Sequence, residues 1–145
     1  MLDKKSTIVL ISDAVEIDHL TIPVRDYETS KRFYAQLLRP LGFELLLDWP
    51  DKRRAYLGRP GAPSSVWLRE WHTAGSLELS LSAPDTGAVH AFHDAALAAD
   101  APNVEEPGVR PEYSEEYYAA RAFDPDGNSI EVVHRAAAKQ QSLAA

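Results

Sequence analysis

The sequence predicts an α+β fold of two tandem modules, each ordered strand–helix–three strands, forming a curved, open mixed-sheet trough with the helices outside. Three observations predict it. A shift of 59 residues superimposes two segments. Both segments begin with alternating apolar and polar residues, as in a strand with one buried face. In both, a helical stripe of apolar residues follows. The shift produces four identical pairs: Leu20 with Leu79, Asp26 with Asp85, Phe33 with Phe92 and Leu38 with Leu97.

The first module is predicted to cover residues 15–72. Its first strand is Ile17 to Val24, where the residues alternate. Asp26 is placed to cap a helix that runs to about Arg39, and the proline that follows stops it. Three further strands, separated by turns rich in proline and glycine, are predicted at Phe43 to Trp49, Arg54 to Leu57 and Ser65 to Arg69.

The second module is predicted to cover residues 73–135 and repeats this order. A strand at Leu77 to Leu81 leads to a helix from Asp85 to about Ala99. The predicted buried stripe of that helix is Val89, Phe92, Ala96 and Leu97. Further strands are predicted at Asn103 to Glu106, Tyr117 to Phe123 and Ser129 to His134. The last two are joined by the turn 124–128.

Composition narrows the classes of function. The chain has 145 residues, a net charge of −7 and no cysteine. Without a basic stripe a nucleic-acid partner is not expected. Without cysteine, disulfides, thiolate catalysis and cysteine-based metal sites are excluded. Residues 15–135 are expected to form one domain in a cytoplasmic protein, with no membrane partner. Residues 1–14 are expected to form an N-terminal arm or extra edge strand, and 136–145 a C-terminal tail.

Parity along the strands places His19, Glu78 and Glu131 on the polar faces at matching depths. Two carboxylates close together in a hollow repel each other unless a cation is shared between them. One imidazole and two carboxylates suit a divalent metal such as Fe, Mn, Zn, Ni or Co, with positions left open for substrate. The same alternation also fits three side chains that simply face water.

Motifs at both ends of the repeat resemble one family. Ile17-Asp18-His19-Leu20, the segment 30–34 (Ser-Lys-Arg-Phe-Tyr) and the segment 41–43 (Leu-Gly-Phe) resemble the opening of vicinal oxygen chelate proteins. That superfamily contains glyoxalase I, extradiol dioxygenases, fosfomycin resistance enzymes and bleomycin resistance proteins. The segment 123–131, Phe-Asp-Pro-Asp-Gly-Asn-Ser-Ile-Glu, resembles its final turn and strand, and Tyr117-Tyr118-Ala119-Ala120 is similar to the glyoxalase-like branch.

The resemblance implies four ligand positions, on the first and last strands of each module. Here they hold His19, Trp67, Glu78 and Glu131. Trp67 cannot ligate a metal, and Glu78 stands where many members have histidine. The implied metal set is therefore His19, Glu78 and Glu131. Bleomycin resistance members resemble this fold yet bind their ligand without a catalytic metal, so a metal-free protein is the alternative.

Four residues are predicted to line a substrate pocket: Trp67, Arg110, Tyr113 and Tyr117. Three of them lie in or beside the irregular segment 107–116. That segment can serve either as a lid over a small ligand or as a surface loop packed by its own aromatic side chains.

Two functions remain open. In the first, a metalloenzyme with lyase, isomerase, transferase or dioxygenase chemistry binds adjacent oxygens of a small substrate at the metal. Glu131 and Glu78 are then the catalytic residues, Glu78 as third ligand or general base. In the second, a metal-free protein sequesters an aromatic or cationic compound on Trp67, Tyr113 and Tyr117. The resemblance also implies a homodimer.

Overall fold

The computed structural model of the protein describes residues 17–62 and 65–135. Within these ranges the chain forms two four-stranded sheets and two α-helices, and the predicted α+β class is confirmed. The strands are β1 (His19–Val24), β2 (Glu44–Trp49), β3 (Arg54–Gly58), β4 (Ser65–Glu70), β5 (Glu78–Ser82), β6 (Asn103–Val109), β7 (Tyr118–Phe123) and β8 (Ser129–His134). The helices are α1 (Tyr27–Leu37) and α2 (Thr86–Ala98). The predicted N-terminal arm and C-terminal tail lie outside the described residues.

The two sheets have the same topology. Their strand orders are β1-β4-β3-β2 and β5-β8-β7-β6, with one parallel pair in each, β1 with β4 and β5 with β8. The register is also repeated, because Trp67 pairs with Thr21 on β1 and Glu131 pairs with Ser80 on β5. The repeated strand–helix–three-strand module is therefore confirmed.

Both helices cover the apolar faces of their sheets and also contact each other, so the two modules share one core. Ile22 and Leu68 from the first sheet are fully buried in it, as are Ile130 and Val132 from the second. The opposite, polar face of each sheet remains free to carry a site. Within the described ranges, neither helix is long and apolar enough to cross a membrane.

The two helices begin differently. Asp85 caps α2, because its side chain accepts a 2.8 Å hydrogen bond from the backbone N–H of Ala88. Asp26 occupies the same position before α1, but its carboxylate accepts a 2.6 Å hydrogen bond from the Thr29 hydroxyl instead. That hydroxyl lowers the pKa of Asp26. Helix α1 ends at Leu37, two residues before the predicted end, and Arg39–Leu41 forms a short 3-10 turn.

Two details of the second module differ from the sequence analysis. Leu97 was predicted to be buried, but 53% of it is exposed, because Val89, Phe92 and Ala96 already fill the face of α2 that meets the sheet. Strand β6 continues to Val109, beyond the predicted end at Glu106. The register shift between Glu105 and Gly108 accommodates the intervening proline on this edge strand.

A buried carboxylate joins the two modules. Asp124 lies in the turn before β8 and is 1% exposed. Its Oδ2 accepts hydrogen bonds from the Tyr34 hydroxyl of α1 at 2.7 Å and from the Asn128 side chain at 2.8 Å. Its Oδ1 accepts two more from the backbone N–H groups of Asp126 and Asn128, each at 2.8 Å. Four donors thus offset the cost of burying this charge.

The same turn is fixed on its other side. The backbone N–H of Arg25 donates to both carboxylate oxygens of Asp126, each at 3.2 Å. The backbone N–H of Leu77 donates to Asn128 Oδ1 at 2.9 Å. Gly75 passes so close that a Cβ on it would overlap the carbonyl oxygen of Asp126, and its φ of 102° also favours glycine. The linker between modules is therefore packed against the turn.

We expect Tyr34→Phe to lower the free energy of unfolding by about 1–3 kcal/mol near neutral pH, because one donor to a buried carboxylate is lost. Burial and then the Asp124 carboxylate raise the pKa of Tyr34 well above its ordinary value of 10.0. The tyrosine's contribution is therefore complete below pH 10 and is lost as the pH rises further. Urea denaturation of both proteins should show the difference shrinking above that pH.

Tyr27→Phe is the matched control. Tyr27 is also fully buried, but its hydroxyl has no hydrogen-bond partner among the described residues. Its removal should cost little at any pH. Equal losses in both variants would contradict the role given to the Tyr34 hydroxyl.

Candidate functional site

The polar face of the second sheet carries a hollow of about 280 Å³. Alternation along β5, β7 and β8 points every second side chain to this face. We call it the polar hollow and define it by Glu78, Ser80, Tyr113, Tyr117, Arg121 and Glu131. The structure thus brings together four of the predicted site residues: both glutamates and two of the tyrosines.

Glu131 lies at the floor of the polar hollow and is 5% exposed. Its Oε1 accepts hydrogen bonds from the hydroxyls of Ser80 and Tyr117, each at 2.7 Å. Its Oε2 accepts one from the Arg121 guanidinium at 3.3 Å. The carboxylate is therefore stabilised as an anion by three donors of this chain.

Arg121 connects the charged groups of this face. In addition to Glu131, its guanidinium donates to Ser129 Oγ at 2.6 Å and to the Glu105 carboxylate at 3.2 Å. Glu105, Arg121 and Glu131 lie side by side on three neighbouring strands, because Glu105 pairs with Arg121 and Arg121 pairs with Glu131. One cation thus lies between two carboxylates in a fixed row.

Two tyrosines form the rim of the polar hollow. The rings of Tyr113 and Tyr117 lie 4.8 Å apart, and the Arg135 guanidinium lies 4.9 Å from the Tyr117 ring. Burial raises the pKa of Tyr117, and its hydrogen bond to Glu131 adds to that shift. Tyr113 is 61% exposed and offers its ring to solvent.

The polar face of the first sheet carries aromatic rings instead. Tyr56 and Trp67 pair across β3 and β4 with ring centroids 4.5 Å apart. The ring centroid of Trp49, on β2, lies 5.4 Å from that of Trp67. We call Trp49, Tyr56 and Trp67 the aromatic strip. A partly exposed strip of three rings can receive a planar molecule by stacking.

The two surfaces occupy equivalent positions in the repeat. Trp67 pairs with Tyr56 on β3, and Glu131 pairs with Arg121 on β7. The first module therefore has two aromatic rings where the second has an ion pair.

The remaining predicted residues lie elsewhere. His19 on β1 makes a 2.9 Å contact with Asp18 and is half exposed. The Arg110 guanidinium donates hydrogen bonds to the backbone carbonyls of Glu106 at 2.8 Å and Gly108 at 3.3 Å. It therefore stabilises the conformation of its own segment. Trp67 belongs to the aromatic strip rather than to the polar hollow.

The predicted metal ligands do not form a cluster among the described residues of one chain. Among residues 17–62 and 65–135 no group of three or more His, Asp or Glu side chains could hold one. The predicted set is divided between the two sheets, and Glu131 already accepts three hydrogen bonds. The assignment of His19, Glu78 and Glu131 to a metal stays a prediction.

Sequence reasoning missed Ser80, Arg121 and the two further members of the aromatic strip, Trp49 and Tyr56. Strand parity was the available signal for Arg121. It alternates with Ala120 and Ala122, both fully buried, so its side chain must leave the sheet on the polar face. The carboxylate that Arg121 contacts depends on the register between β7 and β8, and this register cannot be read from the sequence.

Comparisons with known proteins agree with this architecture. Residues 16–132 match the profile of the Glyoxalase/Bleomycin resistance protein/Dioxygenase superfamily. A glyoxalase/bleomycin resistance protein from a Streptomyces species is similar at 30% identity and a TM-score of 0.61, over 81% of this chain and 99% of that one. TnmS3, an antibiotic binding protein from a Streptomyces species, is similar at 28% identity and a TM-score of 0.64, over 85% and 98%.

A glyoxalase/bleomycin resistance protein from Albidiferax ferrireducens is similar at 27% identity and a TM-score of 0.65, over 83% of this chain and 98% of that one. No curated protein matches the chain closely enough to count as a relative.

We expect Glu131→Gln to lower the pKa of Tyr117 towards its ordinary value of 10.0, because the carboxylate that opposes formation of the phenolate is removed. A pH titration followed by NMR of the labelled tyrosine ring carbon measures the shift. Glu112→Gln removes an exposed carboxylate of the neighbouring loop and serves as the control. An unchanged Tyr117 titration in Glu131→Gln would contradict the coupling.

Proposed function

The chain belongs to the Glyoxalase/Bleomycin resistance protein/Dioxygenase superfamily, and from that premise we propose that it is a small-molecule binding protein that holds a planar aromatic compound. The ligand stacks on the aromatic strip.

The aromatic strip is the observation that carries this proposal. Trp49 is 38% exposed, and the ring centroids of Tyr56 and Trp49 lie 4.5 and 5.4 Å from that of Trp67. Large rings left partly in water on one sheet face cost free energy, and a stacked ligand recovers it. The antibiotic binding activity in the name of TnmS3, which is 28% identical, supports the same class of function.

The separation of the predicted ligands also favours binding over metal chemistry. His19 lies on the first sheet, whereas Glu78 and Glu131 line the polar hollow of the second. Among residues 17–62 and 65–135, no group of three His, Asp or Glu side chains could hold a metal ion. The competing function, a metal-dependent lyase or dioxygenase using His19, Glu78 and Glu131, requires these three side chains to come together.

We further propose that two copies of the chain pair through the edge strand β2. Three consecutive leucines on it, Leu45, Leu46 and Leu47, are each 39–40% exposed. Apolar edge strands are normally covered or paired in native proteins. A second copy that pairs with β2 would cover these leucines.

For ligand binding, we expect Trp67→Ala to weaken the binding of naphthamide, a neutral planar probe, by about tenfold, because the central ring of the strip is lost. Trp67→Phe keeps a ring and should retain most of the affinity. Isothermal titration calorimetry measures both. Equal binding by the wild type and Trp67→Ala would contradict the assignment of the strip.

Metal analysis of protein purified without chelator separates the two functions. The binding function predicts no stoichiometric transition metal. One metal ion per chain that is lost in Glu131→Ala would overturn the binding proposal in favour of the metalloenzyme.

For assembly, we expect sedimentation velocity to report two chains per particle, and Leu46→Lys to shift the equilibrium to single chains because a charge cannot be buried unpaired. Leu97→Lys, at an exposed leucine of α2, is the matched control and should leave the dimer intact. A wild-type monomer at micromolar concentration would contradict the pairing.

A further inference from the structure

Beside the aromatic strip, the polar face of the first sheet carries two arginines directly opposite each other. Arg54 on β3 pairs with Arg69 on β4. They line a hollow of about 510 Å³ whose other lining residues are Lys52, Arg53, Glu70 and Trp71. We call it the arginine hollow. It concentrates positive charge on a chain whose net charge is −7.

The positive charges in this hollow are not balanced by the residues that the structure describes. Like charges directly opposite on antiparallel strands destabilise a sheet. Among the described residues, Glu70 is the only carboxylate that lines the hollow, and it already accepts hydrogen bonds from Arg53 at 2.9 and 3.2 Å and from the backbone N–H of Tyr27 at 2.9 Å. It is therefore committed to other donors.

Arg54 and Arg69 themselves have no acidic partner within residues 17–62 and 65–135. No hydrogen bond or ion pair joins either side chain to a residue that the structure describes. The guanidinium of Arg69 lies over the Trp71 ring at 4.3 Å, and Lys52 Nζ lies over the Trp49 ring at 4.7 Å. These contacts hold the cations in place without neutralising them.

The pair is continuous with the aromatic strip. Arg54 and Tyr56 are two residues apart on β3, and Trp67 and Arg69 are two residues apart on β4, so all four side chains leave the sheet on one face. Trp49 extends the strip to the same corner, because it pairs with Arg54 across β2 and β3. A ring stacked on the strip thus has two guanidinium groups at its edge.

We propose that the ligand of this protein is an aromatic oxyanion, a planar ring system with an attached carboxylate or phosphate that Arg54 and Arg69 bind together. The inference rests on the proposed small-molecule function and adds the charge of the ligand. Guanidinium groups bind such oxyanions through paired hydrogen bonds. The oxyanion also removes the repulsion between the two arginines, which the free protein retains.

The test compares naphthoate with its neutral amide, naphthamide, by isothermal titration calorimetry. Wild-type protein should bind naphthoate about tenfold more tightly, because only the carboxylate engages both arginines. The double variant Arg54→Gln, Arg69→Gln should lose this preference while still binding naphthamide. Arg32→Gln removes one positive charge at an exposed position on α1 and should keep the preference.

A second measurement does not depend on the aromatic probe. Inorganic phosphate should raise the melting temperature of the wild type and of Arg32→Gln, but not that of the double variant. Without added anion, the double variant should melt no lower than the wild type, because a repulsive pair has been removed. A large drop in its melting temperature would contradict the idea that the pair is uncompensated.

The outcomes separate the two proposals. Equal affinity of the wild type for naphthoate and naphthamide, or a preference that survives in the double variant, overturns the oxyanion proposal and leaves the binding function standing. If neither probe binds and phosphate has no effect, both proposals fail.

Discussion

The buried Asp124 carboxylate sets the relation between the two halves of this protein. It accepts a hydrogen bond from Tyr34 in the first module and three from its own turn in the second. A buried anion with its donors in place is tolerated, but the same anion with a donor missing is costly. The donors come from both modules. A movement of one module relative to the other would therefore take a hydrogen-bond donor away from this buried anion. The positions of β5 and β8, and so the polar hollow, depend on this turn.

On this common framework the two modules present different chemistry. Buried aliphatic and aromatic residues face the helices in both, whereas the polar faces diverge. The contacting rings of Tyr56 and Trp67 occupy the positions at which Arg121 and Glu131 form an ion pair in the second module. The first face also keeps the uncompensated arginines, and the second face neutralises its arginine with two glutamates. A ring with an acidic substituent suits the first face.

The sequence was most informative where one periodicity determined the outcome. Alternation and apolar spacing placed β1, β5, α1, α2 and β8 within two residues of their observed bounds. Leu97 was misplaced because an apolar residue beside a helical stripe can point either way, and only packing decides. The contacts of Glu131 were not foreseen because they depend on the register between strands. Its partner Arg121 is 10 residues away in the chain but directly opposite in the sheet. The contacts of Arg110 in the irregular loop were not foreseen either, because its guanidinium donates to the backbone carbonyl of Glu106, four residues earlier in the chain.

The two modules pair their strands in the same register, and this has a consequence for how substitutions can change the binding surface. A duplicated framework separates the residues that maintain shape from those that meet the ligand, because they lie on opposite faces of the same strands. Replacing Tyr56 and Trp67 by the corresponding arginine and glutamate would therefore copy one recognition surface onto the other without altering the topology. After such a duplication, substitutions can change the polar face of one sheet while the polar face of the other sheet keeps its function.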